Sequence, residues 1–189
     1  MNFLVFQHLS VEHPGIFRNF WQKDAISWEA IELDEGEAIP ENLEDYDALI
    51  VMGGPMDVWE IEKYPWLINE QKAIAKWVLD LKKPFLGVCL GHQLLAQSIG
   101  GSVKQMTNPE VGVCKVNLTP EGRKDLILAS MENQFECLQW HGVEVESLPN
   151  GSTILAANEH CNIQAFRYGD NAYGIQYHIE ILSSTIDEW

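Results

Sequence analysis

The chain has 189 residues, 46% of them hydrophobic and 21% charged, and its 12 basic and 28 acidic side chains leave a net charge of −16. This composition suits one globular domain over 1–189 with a buried core. The charge opposes non-specific binding to nucleic acid or to an anionic membrane, and no stretch approaches the ~18 apolar residues of a membrane span.

In the first half, strand-length apolar runs alternate with helix-period segments. Residues 2–7 (NFLVFQ) read as a buried strand. After His13-Pro14-Gly15, Ile16, Phe17, Phe20 and Trp21 fall at helical spacing. Residues 28–33 alternate as a second strand. Residues 45–52 form a continuous apolar run, as a strand covered on both faces requires, and stop at Gly53-Gly54-Pro55. Residues 65–81 are the clearest helix. Pro65 opens it, Leu67, Ile74, Trp77, Val78 and Leu81 make its apolar stripe, and Glu70, Lys72, Lys76 and Asp80 read as its wet face. Residues 84–88 form a fourth strand, followed by Cys89 and a helix that ends at Gly100-Gly101.

Beyond Gly101 the pattern shifts to strands at 111–118, 153–157, 161–168 and 173–177, with turn signals between them. Residues 181–189 read as the start of a helix, which either closes the domain or belongs to a longer chain. The expected fold class is α/β: a mostly parallel central sheet flanked by helices, with extra antiparallel strands in the second half.

The N-terminus lacks the basic region and cleavage site of a signal peptide. Cys89, Cys114, Cys137 and Cys161 show no CxxC spacing, and the six histidines form no HExxH, so neither a disulfide framework nor a metal site is expected. A reducing, cytoplasmic setting is the simplest expectation.

Gly87-Val88-Cys89-Leu90-Gly91 has the G-x-nucleophile-x-G form of a nucleophile elbow, between an apolar strand and a helix. The turn lifts the thiol above the sheet edge and sets it at a helix N-terminus, where the dipole favours thiolate. Such a nucleophile needs a base, and the base an orienter. His178 and Glu180, two apart in an extended segment, project to the same side. Two backbone donors suit an oxyanion hole: the Leu90 amide at the helix start, and the Gly53-Gly54-Pro55 turn. Gln93, one helical turn on, suits a polar substrate end. His92 reads as support for the elbow, and Trp140 and His141, placed before a turn, as core or loop.

On these residues the chain resembles the class I, triad-type glutamine amidotransferases, and among them the glutaminase domain of GMP synthase and its stand-alone relatives. Gly87 to Gln93 is similar to the family's nucleophile signature, Gly53-Gly54-Pro55 to its oxyanion motif, and Gly174 to Glu180 to its His/Glu motif. The resemblance implies a flavodoxin-like fold for one glutamine amidotransferase-like domain, with Cys89, His178 and Glu180 as the catalytic triad. It further implies an oxyanion hole from the Gly54 and Leu90 amides, glutamine held by Gln93, and no cofactor. Glutamine's side-chain amide would be hydrolysed through a γ-glutamyl thioester, and the ammonia would pass to a synthetase domain or partner subunit. These 189 residues carry no synthetase domain. The sequence departs from the family pattern at Ile179, usually proline, at Met56-Asp57, and at Val143, where an acidic residue is common. A γ-glutamyl peptidase or hydrolase using the same triad without a partner, and a non-catalytic binding homologue, are the alternative readings.

Overall fold

The computed structural model describes residues 1–182 and Thr185. The helix expected over 181–189 therefore falls largely outside the described residues.

The elements run β1 (Asn2–Gln7), α1 (Phe17–Lys23), β2 (Ser27–Glu32), β3 (Ala48–Val51), α2 (Trp66–Ala75), β4 (Phe85–Val88), α3 (Leu90–Ser98), β5 (Ser102–Leu118), β6 (Gln134–Ser147), β7 (Ser152–Ala157), β8 (Ala165–Tyr168) and β9 (Ala172–Ile175). The strands form one nine-stranded sheet in the order β2-β1-β3-β4-β9-β8-β7-β5-β6. Neighbours from β2 to β9 are parallel, and neighbours from β9 to β6 are antiparallel.

The parallel part is covered on both faces, so its strands can be apolar throughout. Leu4, Phe6, Leu49 and Val51 pack with Leu67, Ile74 and Trp77 of the α2 region and Leu94 of α3. On the opposite face Val5, Ile50 and Met52 meet Trp21 of α1. A separate cluster in the antiparallel part gathers Val116, Leu118, Leu155 and Tyr177.

The antiparallel half is larger than its apolar runs predict. β5 begins at Ser102 instead of 111, and β6 has no counterpart among the expected strands. Both are long strands whose polar residues alternate with buried ones, so no continuous apolar run marks them. A register shift between Gln105 and Glu110 accommodates Pro109, which has no N–H for the ladder. Conversely, residues 161–164 are not strand. The Asn158 side chain accepts from the His160 and Cys161 amides and holds the chain in a turn.

Helix α2 corrects another expectation. It continues as a π-helix over Lys76–Leu81 and ends at Lys82 with φ of +53°. Glu70, read as facing water, is fully buried. It lies three residues after Leu67 and four before Ile74, on the apolar stripe itself. A buried partner, His8, is what keeps a carboxylate there.

Candidate active site

The site forms where β1, β3 and β4 end, at the carboxyl edge of the parallel strands. Cys89 links β4 to α3 with φ of +50° and ψ of −104°. A non-glycine residue in such a conformation costs about 1–3 kcal/mol, so its surroundings must enforce it. They do: the Cys89 amide donates to Ile175 O at 2.9 Å, and the Gly91 amide to Met52 O at 3.2 Å. The flanking glycines are needed for contact. A Cβ on Gly87 would strike the Gly91 carbonyl, and one on Gly91 the Val51 carbonyl.

His178 lies three residues past β9, pinned by its amide to Leu138 O of β6 at 2.9 Å. Its Nδ1 meets Glu180 Oε1 at 2.7 Å, and both side chains are buried. Burial disfavours the charged ring. The charge of Cys89, a hydrogen bond with its side chain, and Glu180 outweigh burial and push the His178 pKa up to about 11. The Ile179 amide donates to the other Glu180 oxygen at 2.8 Å. Proline at this position would have no N–H to give.

The Leu90 amide, at the first position of α3, has no intrahelical acceptor. Gly53 and Gly54 follow β3 directly beneath a second histidine. His8, fully buried, places Nδ1 2.7 Å from Gly53 O and Nε2 2.8 Å from Glu70 Oε1. Burial lowers the affinity of this ring for its proton, but Glu70 and the Gly53 carbonyl outweigh it and the His8 pKa is raised. Within a trans peptide the C=O and the next N–H point in opposite directions. Gripping Gly53 O therefore turns the Gly54 N–H away from His8.

Two cavities meet at Cys89, and Gly54, Pro55 and Trp140 border both. One, about 330 Å³, includes His178, Leu9, Val11 and Glu12. The other, about 410 Å³, includes Gln93, His141, Gly142 and Val143. Gln93 is buried and donates to Val143 O at 3.2 Å and Gln176 Oε1 at 3.1 Å, so it ties the floor of that cavity to two strands. His141 repeats the His8 arrangement, with Nδ1 2.8 Å from Val143 O and Nε2 3.1 Å from Glu110 Oε2. Trp140 and His141 stand inside β6, not before a turn, and the Cys89 thiol lies 4.0 Å from Trp140 O. His92 is fully buried edge-on to Phe166 at 5.0 Å, and burial pushes its pKa down to about 3.

The structure thus brings Cys89 and Gly54 to both cavities, His178 to one and Gln93 to the other, with Glu180 bonded behind His178 and Leu90 next to Cys89 at the start of α3. Sequence reasoning missed His8, Glu12 and Glu70. The first two stand just past β1, another carboxyl-end loop of the parallel sheet. That position was itself the available signal.

The family model for glutamine amidotransferase class-I matches residues 21–188. Over 142 residues the chain is 40% identical to a glutamine-hydrolyzing GMP synthase subunit of Sulfurisphaera tokodaii, covering 75% of this chain and 71% of that one. It is 27% identical over 186 residues to gamma-glutamyl peptidase 3 of Arabidopsis thaliana, covering 92% and 72%. The crystal structure of a glutamine amidotransferase from Thermotoga maritima superposes with a TM-score of 0.92 at 31% identity, covering all of this chain and 80% of that one. The chain belongs to the class I glutamine amidotransferase family.

Proposed function

We propose that this chain hydrolyses the side-chain amide of glutamine, with Cys89 as nucleophile, His178 as general acid and base, and Glu180 as its orienter. The observation that carries this reading is the buried His178–Glu180 pair beside a thiol on a strained elbow. The Cys89 sulfur attacks the amide carbon. The developing oxyanion turns toward the Gly54 and Leu90 amides, each such donor being worth ~10²–10³ in rate. His178 passes its proton to the leaving nitrogen, and ammonia departs. Water then opens the γ-glutamyl thioester with His178 as base. Residues 1–189 act in this reading as one amidohydrolase domain, and a synthetase subunit would be the natural consumer of the ammonia. Gln93 supports the substrate cavity through its bonds to Val143 and Gln176.

Ammonia release from glutamine, together with labelling of Cys89 by a glutamine-like diazo-ketone, tests the reading. Turnover and stoichiometric labelling are expected. A folded protein that neither turns over a γ-glutamyl amide nor is labelled at Cys89 would be non-catalytic. A second reading, hydrolysis of larger γ-glutamyl amides, draws on the cavity beside His178 and on the likeness to a γ-glutamyl peptidase.

A further inference from the structure

A thiol ester forms in a fixed direction. The leaving nitrogen must face the group that protonates it, so the acyl half of the substrate lies on the opposite side of Cys89. Here His178 borders only the cavity of about 330 Å³, while Gln93 and Val143 border only the other. The acyl half therefore belongs with Gln93 and the departing amine with His178. Ammonia needs roughly the ~30 Å³ of a water molecule. The cavity on its side is about 330 Å³, far more than ammonia requires.

The lining of that cavity is selective. Leu9, Val11 and Pro55 make it apolar, and among the described residues no lysine or arginine borders it. The carboxylate in that described lining is Glu12, which sits over Gly53. Burial raises the Glu12 pKa, His178 and His8 oppose that rise, and Glu180 adds to it. Once His178 has given its proton to the leaving nitrogen, Glu12 keeps the burial cost and the repulsion from Glu180 without that counter-charge, and a cationic group on the amine relieves both. A carboxylate would meet a second like charge.

We propose that the cavity beside His178 is a leaving-amine subsite, and that Glu12 makes it select γ-glutamyl amides whose amine carries a second, cationic group. This rests on Cys89 acting as the nucleophile proposed above. In the reaction the C–S bond forms, the C–N bond breaks as His178 protonates the nitrogen, and the diamine leaves. Water adds to the thioester and gives its proton to His178, the C–S bond breaks, and glutamate departs, leaving the thiolate and the charged ring as they began.

The test compares kcat/KM for glutamine, γ-glutamyl-butylamide, γ-glutamyl-1,4-diaminobutane and γ-glutamylglycine. The diaminobutane amide should exceed the butylamide by about tenfold or more, with γ-glutamylglycine below both. In Glu12→Gln the two amides should come within about twofold of each other, whatever the overall rate, and Glu12→Asp should keep part of the preference. Equal rates for the two amides in the native protein would overturn the proposal. So would an equal loss on every substrate in Glu12→Gln, which would put Glu12 on the acyl half. Turnover of glutamine alone removes the subsite and leaves the nucleophile standing. No turnover and no labelling of Cys89 removes both.

Discussion

His8–Glu70 in the parallel half and His141–Glu110 in the antiparallel half are built alike. In each, Nδ1 meets a backbone carbonyl, of Gly53 or Val143, and Nε2 meets a buried carboxylate. They differ in what they hold and in how well the carboxylate is supplied. His8 fixes the peptide beside the proposed oxyanion donor. His141 fixes the wall of the cavity that Gln93 borders. Glu70 is sealed, with His8 as the partner of Oε1. Glu110 also accepts from Asn158 at 2.6 Å and from Gln164 at 2.7 Å. In the proposed reaction the same pairing would serve the reacting atoms in one half and the fit of substrate in the other, with more redundancy in the second.

The third such pair breaks the pattern usefully. His178 spends Nδ1 on a carboxylate instead of a carbonyl, so its remaining nitrogen is left for Cys89.

The largest effects should come from this third pair and its thiol. Cys89→Ala should lower kcat by ~10⁴ or more with the fold retained, measured by ammonia release beside circular dichroism. Glu180→Gln should cost about 10²–10⁴ in kcat, the scale seen when an orienting carboxylate is neutralised. It also removes one of the interactions that raise His178. The alkaline limb of the pH–rate profile should therefore move to lower pH. An unmoved limb would mean that Glu180 does not act through the ring.

Glu70→Gln sharpens the comparison. It leaves the buried His8 proton without its counter-charge, at a cost of about 3 kcal/mol in chemical denaturation. Because it loosens Gly53, kcat should fall about 10–100-fold with KM little changed. The raised His8 pKa sets the sign with pH. The stabilisation is fully present below the unfolded pKa of about 6.5 and is lost as pH rises through the folded value. The gap between native and variant stability should thus narrow in alkali.

Glu110→Gln should be the mildest, at about 1–2 kcal/mol, because an amide oxygen in the place of Oε2 keeps the bonds to Gln164 and His141 and only the part-buried bond from Asn158 to Oε1 is lost. Its mark should be a KM raised about 3–10-fold with kcat held. Burial raises the Glu110 pKa, but His141, Asn158 and Gln164 outweigh it and the value is lowered. Its stabilisation is present above the ordinary value and lost as pH falls through the folded one, the opposite window from His8. If Glu70→Gln moved KM alone, or Glu110→Gln moved kcat alone, the two pairs would not divide the labour in this way.

The amino-acid order by itself determined the parallel half and pointed to the reacting groups proposed above. Continuous apolar runs of strand length bounded by turn signals suit strands covered on both faces, and glycines on both sides of a cysteine after such a strand leave room for one tight reversal. His178 and Glu180 pair because residues two apart in extended chain share a side. Tertiary structure decided the rest. Glu70 carries a charge at an apolar position of its helix, and only its partner, 62 residues earlier, makes that position habitable. β6 has no apolar run, so its place as the wall of the site appears only once β5 pairs with it. Glu12 comes to share a cavity with Cys89, and His8 to hold the Gly53 carbonyl, only when the strand ends are brought together. Local signals reach as far as a strand or a helical turn, whereas a buried charge and a cavity are defined by what arrives from elsewhere in the chain.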